Sequence, residues 1–363
     1  MKSFIPDKLP LSNIDWSRLI TLIGNANREL AKYDSSLKAI VNPNVLLSPL
    51  TTKEAVLSSK IEGTQATLQE VLKFEASPDI NNPKYHDIQE VLNYRKAVNS
   101  AVEEMKQRPI SLNLIKSIHY NLLDSVRGAN KTPGEFRRIQ NWIGASGTPI
   151  EQAYYVPPEP LKLLDYLSDF EKYIHFEEKD RIVQLAIVHA QFEILHPFLD
   201  GNGRLGRILI PLFLFEKQLL GSPVFYMSEY LESNRKEYYE RLRNISNNNQ
   251  WQEWIEFFLK AFISQAQNNV NKAENILGLY ESMKRRIHEL KFRDSFPVLD
   301  ALFSMPIFNS TDFIRFTGLP KTSSNKILNI LEKENMILLI EKSSGRKPNV
   351  YLFPQLLSIT EGS

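Results

Sequence analysis

Apolar residues recur at intervals of three and four along most of the chain, which is the spacing of one face of an α-helix. The pattern is clearest over residues 16–33, 85–105, 112–123 and 161–174. Strand alternation, which has a period of two, fits these runs less well. The sequence therefore predicts a mainly α fold for the greater part of the chain.

One segment within this helical region, residues 142–158, has the character of a β-hairpin. It holds two short extended runs around a turn that begins at Ser146, and two prolines end it. Glycine and proline between two extended runs are typical of hairpin turns. We therefore expect a hairpin over 143–158.

The pattern changes near Ser295, where shorter elements follow one another. Helices are predicted over 297–305, 310–316 and 320–334, and strands over 336–341 and 350–353. Three helices followed by a two-stranded wing are typical of a winged helix, with the third helix in the recognition position. The sequence thus predicts an N-terminal helical region at 1–110, a central core at 111–290 and a winged-helix-like domain at 291–363.

Composition narrows the class of protein further. Apolar residues make up 42% and charged residues 24% of the 363 positions, as in soluble proteins with a sizeable core. A net charge of +2 gives no overall attraction to nucleic acid, and the absence of cysteine excludes disulfides and thiolate sites. Neither a membrane-spanning run nor a signal peptide is apparent, so we expect a cytoplasmic protein without a membrane partner.

The stretch from His196 to Arg207 concentrates chemically active residues in one loop. A proline after His196 disfavours helical backbone there, so the preceding apolar helix should end at that residue. Two glycines allow a tight turn whose amides approach an anion, and a new helix then begins with its N-terminus towards the loop. One imidazole, one carboxylate and two guanidinium groups converge on a turn that is suited to a polyphosphate.

The glycines at 201, 203 and 206 also match the G-x-G-x-x-G pattern of dinucleotide-binding proteins. That pattern requires a preceding strand and an alternating strand–helix context, whereas the residues before His196 indicate a helix. A P-loop sequence is absent as well. We therefore set aside both nucleotide-binding folds.

The stretch at 196–207 matches the Fic motif H-P-F-x-[D/E]-G-N-G-R-x-x-R at every defined position. Residues 132–137 and 140–144 resemble the family's approach to its flap, and residues 229–239 resemble the region that lines its adenine pocket. The likeness spans about residues 30–259. It implies a Fic-type helical bundle with a β-hairpin flap, to which the small C-terminal winged helix is added.

By this resemblance, the protein is an adenylyltransferase that moves AMP from ATP to a Tyr, Thr or Ser hydroxyl of a target protein or of itself. The resemblance assigns the general base to His196 and a Mg²⁺ ligand to Asp200. It assigns nucleotide binding to Gly201, Asn202, Gly203, Arg204, Leu205, Gly206, Arg207, Tyr238 and Tyr239. Kinase-like relatives carry lysine at the position of Gly203, so glycine here favours AMP transfer.

A second motif lies upstream of this core. Ser58, Glu62 and Gly63 match the inhibitory motif [S/T]-x-x-x-E-[G/N] of Fic proteins. Glu62 ends a helical run before a glycine, where a carboxylate opposes the helix dipole. The resemblance implies that Glu62 pairs with Arg207 and withholds that guanidinium from ATP.

Other functions remain open from the sequence. The same glutamate could position water for the removal of AMP from a modified protein. The winged helix could bind DNA, with phosphate contacts from Lys321, Lys326, Arg346 and Lys347 and base contacts from Ser323, Ser324 and Asn325, or could dock a protein. A homodimer that stabilises the inhibitory helix is also compatible with the sequence, which does not identify the target protein.

Overall fold

A computed structural model describes residues 2–40, 42–145, 147–292, 295–345 and 347–362. Two predicted positions, Ser146 in the hairpin turn and Arg346 among the DNA contacts, lie outside the described residues. The first eight helices are α1 (Trp16–Lys38), α2 (Pro43–Leu46), α3 (Ser48–Ile61), α4 (Leu68–Ala76), α5 (Tyr85–Met105), α6 (Leu112–Leu122), α7 (Leu163–His175) and α8 (Arg181–Leu195).

The remaining helices are α9 (Asn202–Glu216), α10 (Ser228–Ser233), α11 (Arg235–Asn248), α12 (Trp251–Glu289), α13 (Ser295–Ser304), α14 (Ser310–Thr317), α15 (Lys321–Lys333) and α16 (Pro354–Glu361). The strands are β1 (Ile307–Asn309), β2 (Leu338–Glu341) and β3 (Val350–Leu352). The predicted mainly α class is therefore confirmed. Over the described residues, no helix combines the length and the apolar character that crossing a membrane requires.

Contacts divide the chain into two compact units, each built from separate stretches of sequence. The first unit contains residues 1–34, 57–63 and 93–267, and the second contains residues 35–56, 64–92 and 268–363. The three domains expected from the sequence remain a prediction.

Helix α8 forms the centre of the first unit. Thirteen of its fifteen residues are buried, because its sequence is apolar on almost every face. The Asp180 carboxylate caps its N-terminus by accepting the N–H groups of Ile182 and Val183 at 2.9 and 2.8 Å. Helices α7, α9 and α11 pack against α8, and α6 packs against α9. His196, at the C-terminal end of α8, therefore lies beside the helices that pack against α8.

The predicted hairpin is present in the first unit in a reduced form. Ile143 and Tyr155 form a single antiparallel bridge, in which the Ile143 N–H donates to the Tyr155 carbonyl at 2.9 Å. Between them, residues Ile150–Gln152 form a 3₁₀ turn in place of a continued strand. Over its described residues, the segment is thus a flap closed by one bridge, within a unit whose other described elements are helical.

A three-stranded antiparallel sheet of order β1-β3-β2 lies in the second unit. Ile307 pairs with Leu352 and Leu338 pairs with the same residue from the other side. Helix α4 packs on β1, and the two elements share a buried apolar cluster. This cluster contains Leu68, Leu72, Ala76, Ile307, Val350 and Leu357. Residues of the N-terminal half and the C-terminal region therefore share one core in this unit.

Two C-terminal elements were not predicted from the sequence. Strand β1 has three residues, all buried, so no alternation of apolar and polar positions marks it. Helix α16 follows β3 directly and begins at a proline, which is favourable in the first helical turn. The helices α13 to α15 lie close to their predicted positions, and assignment as a winged helix remains a prediction.

The proposed DNA contacts on α15 divide by exposure. Lys321, Ser323, Asn325 and Lys326 are exposed, whereas Ser324 is fully buried. The Ser324 hydroxyl lies 3.4 Å from the Leu319 carbonyl oxygen, to which it donates. The expectation that Ser324 reaches a base edge is therefore wrong, because its side chain faces the core.

Candidate active site

His196 ends α8 in a left-handed backbone conformation. Its φ is +44° and its ψ is 58°, which a residue other than glycine rarely adopts, and its N–H still donates to Phe192 at 3.0 Å. The proline that follows disfavours continued helix, as the sequence predicted. Such a conformation costs roughly 1–3 kcal/mol and persists only where neighbouring groups hold it.

Arg137 is one of the groups that hold this helix end. Its Nε donates to the His196 carbonyl at 3.0 Å, and its backbone N–H donates to Pro197 at 2.9 Å. One terminal nitrogen also donates to the Pro158 carbonyl, at 2.6 Å, where the flap ends. Because the side chain is buried, water does not reach the carbonyl groups at the end of α8. The Arg137 guanidinium donates to these carbonyls in place of water. Arg137 thus links the flap to the backbone of His196.

The loop after His196 is anchored on Phe198. Its ring is buried and stacks on the His119 imidazole with 3.7 Å between centroids. The Asn202 side chain accepts from the Phe198 N–H and donates to the Phe198 carbonyl, both at 2.9 Å. The Asn202 amide therefore closes the loop on itself, and the group it offers to a ligand is its backbone N–H.

His119 fixes the other side of the same loop. The Gly134 N–H donates to its Nδ1 at 2.8 Å, so Nε2 carries the proton and donates to the Asp200 carbonyl at 3.0 Å. Burial lowers the pKa of His119 to about 4, which keeps the ring neutral in this role. No sequence pattern singled out His119 as part of the site.

Asp200 lies at the start of the turn into α9. Its Oδ1 accepts the Gly201 N–H at 2.6 Å and forms an ion pair with Arg204 at 3.3 Å. Its other oxygen faces Gly128, where an added Cβ would lie only 2.9 Å away. Arg204 is almost fully buried, and its ion pair with Asp200 stabilises the turn.

The motif of Ser58, Glu62 and Gly63 contacts Arg207, and the structure contains the Glu62–Arg207 pair that the resemblance implied. The Arg207 guanidinium donates to the Ser58 hydroxyl, the Ser58 carbonyl and Glu62 Oε1, each at 2.8 Å. Gly63 follows with φ +101°, a conformation that suits glycine after a helix end. Although burial raises the pKa of Glu62, Arg207 outweighs this effect and the pKa is lowered. Glu62 is thus held as a carboxylate against the guanidinium.

A cavity of about 570 Å³ opens beside these groups. Its described lining residues include His196, Glu62, Gly203 and Arg207 from the loop and the inhibitory motif. The flap contributes Trp142, Ile143, Gly144, Tyr154 and Tyr155, and α11 contributes Arg235, Tyr238, Tyr239, Leu242, Arg243 and Ser246. The cavity is therefore lined by charged and polar groups together with aromatic and apolar side chains.

Two tyrosines from α11 differ in their surroundings. Tyr238 is buried, and its hydroxyl lies 2.9 Å from His189 Nε2. Tyr239 is 36% exposed and packs under the Arg235 guanidinium at 5.8 Å. Both line the cavity, and Tyr239 presents the more accessible ring face to a ligand.

The surroundings of His196 keep its imidazole in the neutral form. Burial is the main reason that its pKa falls to about 4, although Glu62 acts in the opposite direction. The imidazole is therefore neutral near pH 7. A neutral imidazole, amides at the start of a helix and a guanidinium facing one cavity can activate a hydroxyl beside a phosphate.

The structure distributes the predicted site residues over three environments. His196, Gly203, Arg207, Glu62, Tyr238 and Tyr239 line the cavity. The turn into α9 and the contacts that support it involve Asp200, Gly201, Asn202, Arg204 and Ser58, which are not among the described lining residues. Leu205 is fully buried in the core, and Gly206 lies against the side chain of Glu193. Glu193 also lines the cavity, and sequence reasoning missed it.

Comparison with known sequences identifies two adjoining domains. Residues 20–103 match the Fic/DOC family N-terminal domain, and residues 109–214 match the Fic/DOC family domain. The chain is 28% identical over 196 residues to a probable protein adenylyltransferase of Aquifex aeolicus, which covers 52% of this chain and 56% of that protein. It is 28% identical over 162 residues to the protein adenylyltransferase Fic of Drosophila grimshawi, covering 42% and 31%. The matched region is thus about half or less of these relatives.

Solved structures show the same fold. A Fic family protein from Desulfovibrio desulfuricans superposes with a TM-score of 0.61 at 19% identity, over 95% of this chain and 97% of that one. Fic-1 from C. elegans gives a TM-score of 0.53 at 19% identity, over 71% and 74%. With two family domains matched in sequence and the fold matched in structure, the chain belongs to the Fic/DOC family.

Proposed function

We propose that this protein is an adenylyltransferase that moves AMP from ATP to a hydroxyl of a protein side chain. The observation that supports this most directly is the cavity in which His196, the first turn of α9 and Arg207 meet beside the flap. The relatives from Aquifex and Drosophila are named as enzymes of this class, which supports the same activity here.

In this mechanism His196 acts as general base. A neutral imidazole nitrogen takes the proton from the target hydroxyl, whose oxygen attacks the α-phosphorus of ATP. The bond from that phosphorus to the bridging oxygen breaks, and pyrophosphate leaves. The hydrogen bonds that Arg137 makes to the backbone at 195–197 keep the ring at the required place.

Charge on the phosphates is met by the turn into α9. The backbone N–H groups at 201–203 include donors without an intrahelical partner, and the helix dipole adds to their attraction for an anion. Arg207 holds the outer phosphates once its guanidinium is available. Tyr239, with Tyr238 behind it, offers a surface for the adenine ring.

Asp200 is suited to a magnesium ion that arrives with the nucleotide. Among the described residues, no cluster of three or more His, Asp or Glu side chains forms a metal cage. Mg²⁺ in nucleotide sites is commonly bound by one or two carboxylates together with substrate phosphates and water, so a single carboxylate at the turn fits. When bound, the ion would neutralise phosphate charge, while Arg204 keeps the carboxylate in place.

Glu62 inhibits transfer by occupying Arg207. The guanidinium already makes three contacts to α3 and to Glu62, and Glu62 also closely approaches Gly203. Outer phosphates would have to displace a carboxylate from the same guanidinium. ATP can therefore bind productively only when Glu62 moves away or is replaced.

The flap is proposed to present the target hydroxyl. Trp142, Ile143 and Tyr154 are 42, 39 and 55% exposed beside the cavity, so a partner segment can pack on them. A Tyr, Thr or Ser of a target protein, or of this chain itself, would then reach His196. DNA binding through α15, homodimer formation and a cytoplasmic location stay separate predictions.

Removal of AMP is a second candidate function of the same site. Glu62 lines the cavity with His196 and is held ionised, so its carboxylate could orient an attacking water. A protein substrate already carrying AMP separates the two activities. Release of AMP that depends on Glu62 would favour this candidate over transfer.

Intact-mass spectrometry tests the proposed transfer. After incubation with ATP and Mg²⁺, Glu62→Gly protein should gain the mass of one or more AMP groups, and the double variant with His196→Ala should not. His288→Ala, which alters an exposed histidine in the other unit, is the matched control and should retain the adduct. No AMP on the protein or on added lysate proteins in any variant would overturn the proposal.

A further inference from the structure

Glu193 is a carboxyl group that the proposed mechanism does not use. It lies on α8 one helical turn before His196, and it lines the same cavity. Its Oε1 is shielded from solvent and makes no hydrogen bond with the described residues of the protein. A buried polar atom without a partner in the wall of a binding cavity indicates a ligand contact.

The position of Glu193 along α8 relates it to the parts of a nucleotide. His189 and Glu193 follow at i and i+4, so they share one stripe of α8, and His196 lies at the C-terminal end of that helix. His189 contacts the hydroxyl of Tyr238, an aromatic residue that lines the same cavity. With a rise of about 1.5 Å per residue, Glu193 lies about 4.5 Å along the helix from His196. The sugar lies between the reacting phosphate and the base, so it would pass this carboxyl.

Gly206 leaves room for the same side chain. A Cβ at this position would overlap Glu193 Oε1 and lie 3.3 Å from its carboxyl carbon. Its φ is in the ordinary helical range, so glycine is not required there by backbone conformation. The absence of a side chain at 206 thus allows the carboxyl to remain against α9.

The ionisation of Glu193 also suits a hydroxyl ligand. Burial raises its pKa to about 7, with Arg207 opposing the rise and Glu62 adding to it. Near neutral pH the group can therefore donate as well as accept a hydrogen bond. A sugar hydroxyl, which is both donor and acceptor, can satisfy either form.

We propose that Glu193 binds a ribose hydroxyl of the nucleotide and makes the site selective for ribonucleotides over deoxyribonucleotides. This role rests on the proposed nucleotide-dependent function, in which Glu193 would contact the sugar. Carboxylates recognise ribose hydroxyls in other nucleotide-binding folds by the same hydrogen-bond chemistry. Tyr239 and the phosphate-binding turn would make similar contacts with both sugar types.

Binding of monophosphates by calorimetry tests this selectivity without a requirement for turnover. AMP lacks the outer phosphates, so the Glu62–Arg207 contact does not compete with it. For the unaltered chain, AMP should bind about tenfold more tightly than at least one of 2′-deoxyAMP and 3′-deoxyAMP, as expected for one buried hydrogen bond. Glu193→Ala should lose that preference because its affinity for AMP falls, while its affinity for the deoxy form changes by less than about twofold.

Two further variants separate the carboxyl from general packing. Gly206→Ala should also reduce the preference, because the new Cβ displaces the carboxyl while Glu193 is still present. Glu193→Gln, which retains a donor and an acceptor, should keep most of it. Glu240→Ala removes an exposed glutamate of α11 outside the cavity and should change nothing.

The outcomes distinguish the inference from the function on which it rests. Equal weakening of AMP and both deoxy forms in Glu193→Ala, or no preference in the unaltered chain, overturns the ribose contact and leaves AMP transfer standing. Failure of the unaltered chain to bind any adenine nucleotide overturns both. Selective loss for one deoxy form also identifies which hydroxyl Glu193 contacts.

Discussion

At the scale of single residues, two polar side chains of the Fic motif, Asn202 and Arg204, contact the protein itself and are not among the described residues that line the cavity. Asn202 belongs to the motif, yet its amide is used on the Phe198 backbone, and this closes the loop. Arg204 is buried against Asp200 and does not line the cavity among the described residues. The motif therefore specifies the loop's shape as much as its contacts with a ligand.

Replacement of Asn202 by alanine should disturb this loop. Two buried hydrogen bonds are lost and the Phe198 N–H is left without its partner, so the free energy of unfolding should fall by about 1–3 kcal/mol. In a Glu62→Gly background, the rate of AMP transfer should also fall. Denaturant unfolding and label transfer measure the two effects. Unchanged stability and transfer would show that the amide does not hold the loop.

The loop at 196–207 and the Glu62–Arg207 contact could be anticipated from the sequence, because both involve short motifs with fixed spacing, and the structure contains the contact. Glu193 and His119 were not predicted, since the residues that surround each side chain, Gly206 and Asp200, are far away in sequence. An acidic residue three positions before His196 on a buried helix was the available signal. The sequence does not show whether a polar side chain is buried without a hydrogen-bond partner, because this depends on residues that meet only in the folded structure.

At the scale of elements, α8 is the support on which the site is built. Its apolar sequence buries it on nearly all sides, and Arg137 satisfies carbonyls at its end. The flap is less regular than the sequence predicted, since one bridge replaces a ladder and a 3₁₀ turn interrupts the return strand. Turn residues predict where a chain reverses, but they do not determine how many strand pairs form.

Arg137→Met should uncouple the flap from the end of α8. Methionine fills much of the same space but cannot donate, so carbonyls at 158, 195 and 196 lose their partner. We expect a loss of roughly 2–4 kcal/mol of unfolding free energy and reduced AMP transfer in the Glu62→Gly background. Arg138→Met, in which the neighbouring exposed arginine is replaced, should be nearly neutral in both measurements. Equal effects of the two variants would contradict this role.

At the scale of the whole molecule, buried ionisable groups link stability to pH. Burial lowers the pKa of His119 and His196 to about 4 and that of His189 to about 3. Unfolded histidine titrates near 6.5, so below that pH the unfolded chain binds more protons and stability is lost. Glu193 has the opposite sign, because its pKa is raised to about 7 and folding favours its protonated form between pH 7 and 4.5.

His119→Gln isolates one part of this pH dependence. The histidine should stabilise the folded state at pH 7 relative to pH 5 by about 2 kcal/mol, since its pKa falls from 6.5 to about 4 on folding. Chemical unfolding at both pH values should therefore show a smaller difference for the variant than for the unaltered chain. The same difference in both proteins would mean that His119 titrates normally in the folded state.

The most direct test of the central claim is transfer of label from α-labelled ATP with Mg²⁺, measured as an initial rate into this chain and into lysate proteins. The unaltered chain, Glu62→Gly, and Glu62→Gly with His196→Ala should be compared at equal concentration. The account predicts low transfer in the first, a rise of at least about tenfold in the second, and background in the third, because Glu62 occupies Arg207 and His196 supplies the base. Background transfer in all three, or a rate in Glu62→Gly that does not depend on His196, would contradict it.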